Sequence, residues 1–192
     1  MDVMVSVKSV GTDIYSIGVV AFELDGTVQE PHELLQYNQR CYHWRVAASP
    51  AHEGAFGSQR ALDDWAQAQK VDITTALRAL DVVLNTPRRG LLLKRGRIWA
   101  SPKGVGLEPL RRAYRVLGIP QPWEERQELD YRTLFWAGNK VPDSYVRAPD
   151  LSEADLIEGH ALHDAACQVV VLQAAYRALM LHRAAKTRRR PK

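Results

Sequence analysis

VMVSV at residues 3–7 and IYSIGVVAFEL at residues 14–24 decide the fold. Both are apolar, rich in β-branched side chains, and too continuous for a one-faced helix, so they read as buried strands. Asp25-Gly26 follows as a hairpin turn signal, and Thr27-Val28 starts a return strand. The chain therefore opens as a β-meander.

Beyond the meander, residues 37–58 hold Pro50, Gly54 and Gly57 and read as a long surface connection. Residues 61–69 look helical, with Leu62, Trp65 and Ala66 on one side. A stronger helix is predicted from Asp72 to Leu84. Its apolar positions Ile73, Ala76, Leu77, Leu80, Val83 and Leu84 keep the 3.6-residue period, Asp72 stands as N-cap, and Pro87 stops it. Ile98-Trp99-Ala100 reads as a short core strand, and residues 107–117 as a helix stopped by Gly118 and Pro120. A short helix over 131–136 is capped by Asp130. The last helix spans 161–184, with Leu162, Ala165, Val169, Leu172, Tyr176, Leu179 and Met180 as its buried stripe. This order predicts an α/β domain, a mixed central sheet flanked by helices.

The chain has 192 residues, 46% of them hydrophobic and 25% charged, which suits one domain with a full core. No apolar run reaches the roughly 18 residues of a membrane span, and no basic region precedes the first strand, so a membrane anchor and a signal peptide are not expected. The two cysteines, Cys41 and Cys167, form no CxxC pair, which excludes a disulfide framework and a zinc ribbon and points to a reducing cytoplasm. The net charge is +4, yet residues 183–192 alone carry six basic groups and no acid, leaving residues 1–182 at −2. The expectation is a single domain over 1–182 followed by a disordered basic tail that can touch phosphate.

Several blocks carry a resemblance: VMVSVKSVGT (3–12) leading into YSIGVVAFEL, the helix with Trp65 and Gln69, IWASPKGVGLEPLRRAYRVLGIPQPW (98–123), YRTL (131–134) and ALHDAACQ (161–168). In this order they resemble the DEDDh 3′-5′ exonucleases of the ribonuclease H-like fold, in their compact phage and bacterial exoribonuclease-like branch. The resemblance spans about residues 2–180 and implies a ribonuclease H-like fold and a homodimer. It also implies a strict chemistry. Two divalent ions, roughly 4 Å apart, activate a water and stabilise the leaving oxygen; such hard cations need carboxylate oxygens, and a histidine acts as general base.

The chain departs from that pattern at most of its site positions. The first Asp falls on Ser6, the Glu on Lys8 and the third acid on Gly104, with no Asp or Glu between Trp99 and Leu107. Asp164 alone remains. The general base falls on Gly159, with His160 one step off that register. An ammonium donates only and cannot ligate Mg²⁺, and it repels a divalent ion. Lys8 is therefore expected to replace the metal as counter-ion to Asp164, with Ser6 and His160 or His163 nearby. No metal, no cofactor and no nuclease activity are expected: a pseudoenzyme that binds nucleic acid or a protein partner. The nucleic-acid candidates are Arg88, Arg89, Lys94, Arg95, Arg97, Arg188, Arg189 and Arg190, with Trp99, Tyr131 and Trp136 as stacking surfaces, although Trp99 reads better as core.

Other readings are weaker. His163-Asp164 with His160 suggests an HD phosphohydrolase, which needs an all-helical scaffold. Cys41-x-His43 with His52 lacks a fourth ligand for zinc and reads as a half-buried cysteine with two surface histidines. Lys103-Gly104-Val105-Gly106 lacks the full phosphate-loop fingerprint. An active nuclease would have to draw acids from Asp2, Asp13 or Glu108, and a purely structural or assembly protein is the third alternative.

Overall fold

In a computed structural model, the chain folds around one mixed sheet whose central strand is the first one. The structure describes residues 2–26, 30–36, 40–47, 59–85, 97–101, 106–142, 144, 146, 156–157 and 160–188. Strands β1 (Asp2–Val10), β2 (Asp13–Phe22), β3 (Cys41–Arg45), β4 (Ile98–Ala100) and β5 (Glu128–Asp130) form a sheet of order β3-β2-β1-β4-β5. β2 runs antiparallel to β1 and β3, whereas β4 runs parallel to β1 and β5. The helices are α1 (Pro31–Gln36), α2 (Gln59–Gln67), α3 (Ile73–Asn85), α4 (Glu108–Val116), α5 (Tyr131–Asn139) and α6 (Ala161–Arg188).

Both faces of the sheet are covered, which is why β1 and β2 are apolar without alternation. One face sends Val3, Val5, Ile17, Val19 and Ala21 against Leu77, Leu80 and Leu84 of α3 and Leu110 and Tyr114 of α4. The other sends Met4, Val20 and Phe22 against Ala165, Ala166, Val169 and Leu172 of α6. Trp99 is buried on the α6 side, as core. Asp72 caps α3 by accepting the Thr75 N–H at 3.0 Å, and Asp130 caps α5 by accepting the Arg132 N–H at 3.0 Å. Glu128 is buried but satisfied: the Trp123 indole donates to it at 2.8 Å and Arg111 pairs with it at 3.2 Å.

Three expectations need correction. The supposed connection over 37–58 contains strand β3 at Cys41–Arg45, paired along β2. Its five residues are all half-buried, so the two faces differ too little for a period-2 signal. β5 is only three residues long and was not foreseen. Finally, α6 continues to Arg188, so the first six residues of the expected disordered tail are helical. Ala, Lys and Arg are strong helix formers, and no breaker stands before Pro191. The return strand placed at Thr27-Val28 lies outside the described residues. Among those described, no helix is long and apolar enough to cross a membrane.

Candidate functional site

The start of α6 is seated on a face of β1, β2 and β3 that carries polar side chains. Two cross-strand rows build it. Ser6 of β1 lies opposite Gly18 of β2, which lies opposite His43 of β3; Lys8 lies opposite Ser16, which lies opposite Arg45. Gly18 is the gap in the first row. A Cβ built on it falls 2.3 Å from the Ala161 carbonyl carbon and the Leu162 nitrogen, so the helix backbone rests directly on the strand. That approach sets His160, His163 and Asp164 over the two rows.

Lys8 Nζ is in ion-pair contact with Asp164 Oδ2, their side chains 24% and 21% exposed, the contact the sequence predicts. Three weak acids that feel the Asp164 charge, Tyr15, Tyr131 and Cys167, are all raised. Burial, then the Asp164 charge, raises the Tyr15 phenol. Burial likewise raises Tyr131, with Asp164 a lesser contributor. The Cys167 thiol is pushed up to about 12 by burial and by Asp164. None of these three is poised as a nucleophile at neutral pH.

Beside the pair stands a stack of imidazoles. The His43 and His160 ring centroids are 4.2 Å apart, and those of His160 and His163 are 4.0 Å apart. His43 Nε2 shares a hydrogen bond with Ser16 Oγ at 2.8 Å. The Ile157 N–H donates to His163 Nδ1 at 2.8 Å, and the His163 N–H donates to His160 Nδ1 at 3.3 Å. Both Nδ1 atoms are therefore unprotonated acceptors. Burial first, then Arg45 and His163, pushes His43 down to about 3. Burial first, then the neighbouring histidines, pushes His160 down to about 3 despite Asp64. His163 is lowered as well, mainly by burial. Asp64 of α2 is held by Arg45 through two nitrogens at 2.7–3.0 Å and lies 3.6 Å from His160 Nε2.

The predicted site residues thus separate. Lys8 and Asp164 pair, and Ser6 lies in the neighbouring row opposite Gly18, but His160 is spent on the stack, on the His163 main chain and on the Asp64 side, not on the Asp164 carboxylate. His43 is not a surface histidine; it is half-buried against His160. Cys41 is half-buried as expected, its thiol donating to the Leu34 carbonyl at 3.1 Å. Gly104, His52, Arg88, Arg89, Lys94, Arg95, Arg189 and Arg190 lie outside the described residues, and Arg188 is the last residue of α6. Arg97 does not stand free for phosphate: it grips Asp2 through two nitrogens at 2.8 and 2.7 Å. The sequence reading missed Ser16, Arg45 and Asp64. The signal for Arg45 was the alternation Cys41, His43, Arg45, which shares one strand face.

Among the described residues, no three His, Cys, Asp or Glu side chains gather as a metal-ligand set; the histidine rings stack instead of converging. The chemistry available is that of a fixed ammonium–carboxylate pair beside neutral imidazoles. Replacing Lys8 by Met should leave the half-buried Asp164 carboxylate without its cation. The expected loss is about 1 kcal/mol, read as a lower urea midpoint at pH 7; an unchanged midpoint would show that the pair is energetically idle.

The fold is a mixed α/β sheet with helices on both faces. Comparison with protein-family models, with curated proteins and with solved structures yields no match.

Proposed function

We propose that the chain is a ribonuclease H-like domain of the DEDDh exonuclease type. In this reading its two-metal centre has been exchanged for a lysine–carboxylate pair, and it holds nucleic acid without cutting it. The observation that carries this reading is Lys8 seated on Asp164. In a two-metal site that position must be an oxygen ligand; here it is a donor-only cation that consumes the one remaining acid. The sheet order β3-β2-β1-β4-β5, with β2 antiparallel to its neighbours, supports the ribonuclease H-like part of the reading.

Acids elsewhere do not favour a relocated metal centre. Asp2 is buried and held by Arg97, Glu108 is paired with Arg111 at 3.1 Å, and Asp13 accepts from the Thr12 hydroxyl at 3.2 Å. Charge supports a polyanionic partner: residues 165–192 contain seven Lys or Arg and no Asp or Glu.

A gel-shift assay with a labelled single-stranded oligonucleotide, run across a salt series with the full chain, tests the binding half. Complex formation should weaken steeply with salt. Neutralising Arg188, Arg189 and Arg190 to Gln should reduce the log–log slope by about 2, given roughly 0.7 per single-strand phosphate contact. Absence of any complex at about 50 mM salt would overturn nucleic acid as the partner and leave a protein partner as the better reading.

A further inference from the structure

The chain has five tryptophans, and the fold employs four of them. Trp99 and Trp123 are buried. Trp44 packs against the α3–α4 side of the sheet, and the Trp65 indole donates to the Tyr15 carbonyl at 3.2 Å. Trp136 is the exception. It lies on α5 with 69% of its surface exposed.

Arg132 lies one turn before Trp136 and Lys140 one turn after, so the three form an exposed stripe. Arg132 rests on Asp130 only at 3.4 Å and keeps 48% of its side chain in solvent. Lys140 ends the helix through its backbone N–H, and its ammonium has no ion-pair partner among the described residues. The opposite side of α5 does the packing: Leu134 and Phe135 meet the α6 core, and Gly138 lies so close that an added Cβ would fall 2.8 Å from the Ala175 side chain. The stripe is thus rigidly mounted yet contributes nothing to that packing.

An open indole face with a cation a helical turn away on either side is complementary to a chain of alternating bases and phosphates. The ring stacks on a base and the cations neutralise the flanking phosphates, with little demand on base identity. The geometry points to the Arg132–Trp136–Lys140 stripe of α5 as a stacking platform for single-stranded nucleic acid. This inference rests on the nucleic-acid reading above, but its surface is distinct from both the Lys8–Asp164 pair and the basic C-terminus.

The test titrates the full chain into labelled uridine and thymidine oligomers of about 15 nucleotides, long enough for one platform, and reads anisotropy and tryptophan quenching. Trp136→Ala should weaken binding of both oligomers about tenfold or more, and Trp136→Phe should restore part of it. Arg132→Gln and Lys140→Gln should each lower the salt slope by about 0.7. Because all three side chains are exposed, the variants should fold normally, checked by circular dichroism. If Trp136→Ala binds within about twofold of the unaltered chain while the Arg188, Arg189 and Arg190 neutralised variant loses binding, the platform is wrong and the nucleic-acid reading stands. If the unaltered chain binds neither oligomer, both fall.

Discussion

Gly18→Ala is expected to cost about 3 kcal/mol or more of stability, at the upper end of what one methyl group does. The reason is local. The new Cβ meets the main chain of α6 at 2.3–2.4 Å from three atoms, Ala161 C, Ala161 O and Leu162 N. A side chain can rotate away from a clash, but the first turn of a helix cannot. Either β2 bends or α6 lifts, and α6 brings Ala165, Ala166, Val169 and Leu172 into the core. Lifting it also draws Asp164 from Lys8 and unstacks His160 from His43. Gly11→Ala is the internal control: its φ is +57° and nothing lies within 4 Å of the added atom, so it should cost only the left-handed strain of about 1 kcal/mol. Urea denaturation of the two variants checks this. A Gly18→Ala midpoint no lower than that of Gly11→Ala would show that the approach of helix to strand is looser than described.

The second large effect is acid sensitivity. His43 and His160, with pKa values pushed down to about 3 by burial, are neutral in the folded protein at neutral and mildly acidic pH. In the unfolded chain they titrate near the ordinary value of about 6.5. Above that value both states are unprotonated and stability is whole. As pH falls from 6.5 toward 3, the unfolded state takes up protons that the folded state refuses, and stability drops by up to about 1.4 kcal/mol per pH unit for each such histidine. The geometry sets the same direction, since protonating His160 or His163 at Nδ1 breaks the main-chain bond each accepts. The charged groups around the stack do not reverse it: Arg45 and Arg60 oppose protonation, while Asp64 and Asp164 favour it only partly. The urea midpoint should therefore fall sharply between pH 7.5 and pH 5. His43→Asn should flatten that dependence, whereas equal midpoints at the two pH values would contradict the buried neutral stack.

Much of the fold was legible because it rests on local pattern. The β1 and β2 runs, the 3.6-residue period of α3, the Asp72 and Asp130 caps and the Gly118 stop all mark elements that the structure contains. Gly118 adopts φ +65°, the conformation that makes glycine the helix stop. What escaped was short or half-buried: β3, whose five residues face partial cover on both sides, and β5, three residues with one buried carboxylate. The site divides in the same way. The Lys8–Asp164 contact was legible only through the resemblance, which places both positions at one centre. The imidazole stack was not, because it depends on β3 lying beside β2 and on α6 landing at Gly18. Neither His43 nor Asp64 sits in a local motif that announces a partner far along the chain.

With Lys8 in ion-pair contact with Asp164, divalent ions should support no cutting there. The most direct measurement incubates the purified full chain with a labelled single-stranded oligonucleotide and Mn²⁺, alongside Asp164→Ala, and follows product length over time. The expected result is an oligonucleotide that stays intact with both proteins. Stepwise 3′ trimming by the unaltered chain that disappears in Asp164→Ala would mean that a metal-dependent centre operates at Asp164, and would contradict the proposed role of Lys8.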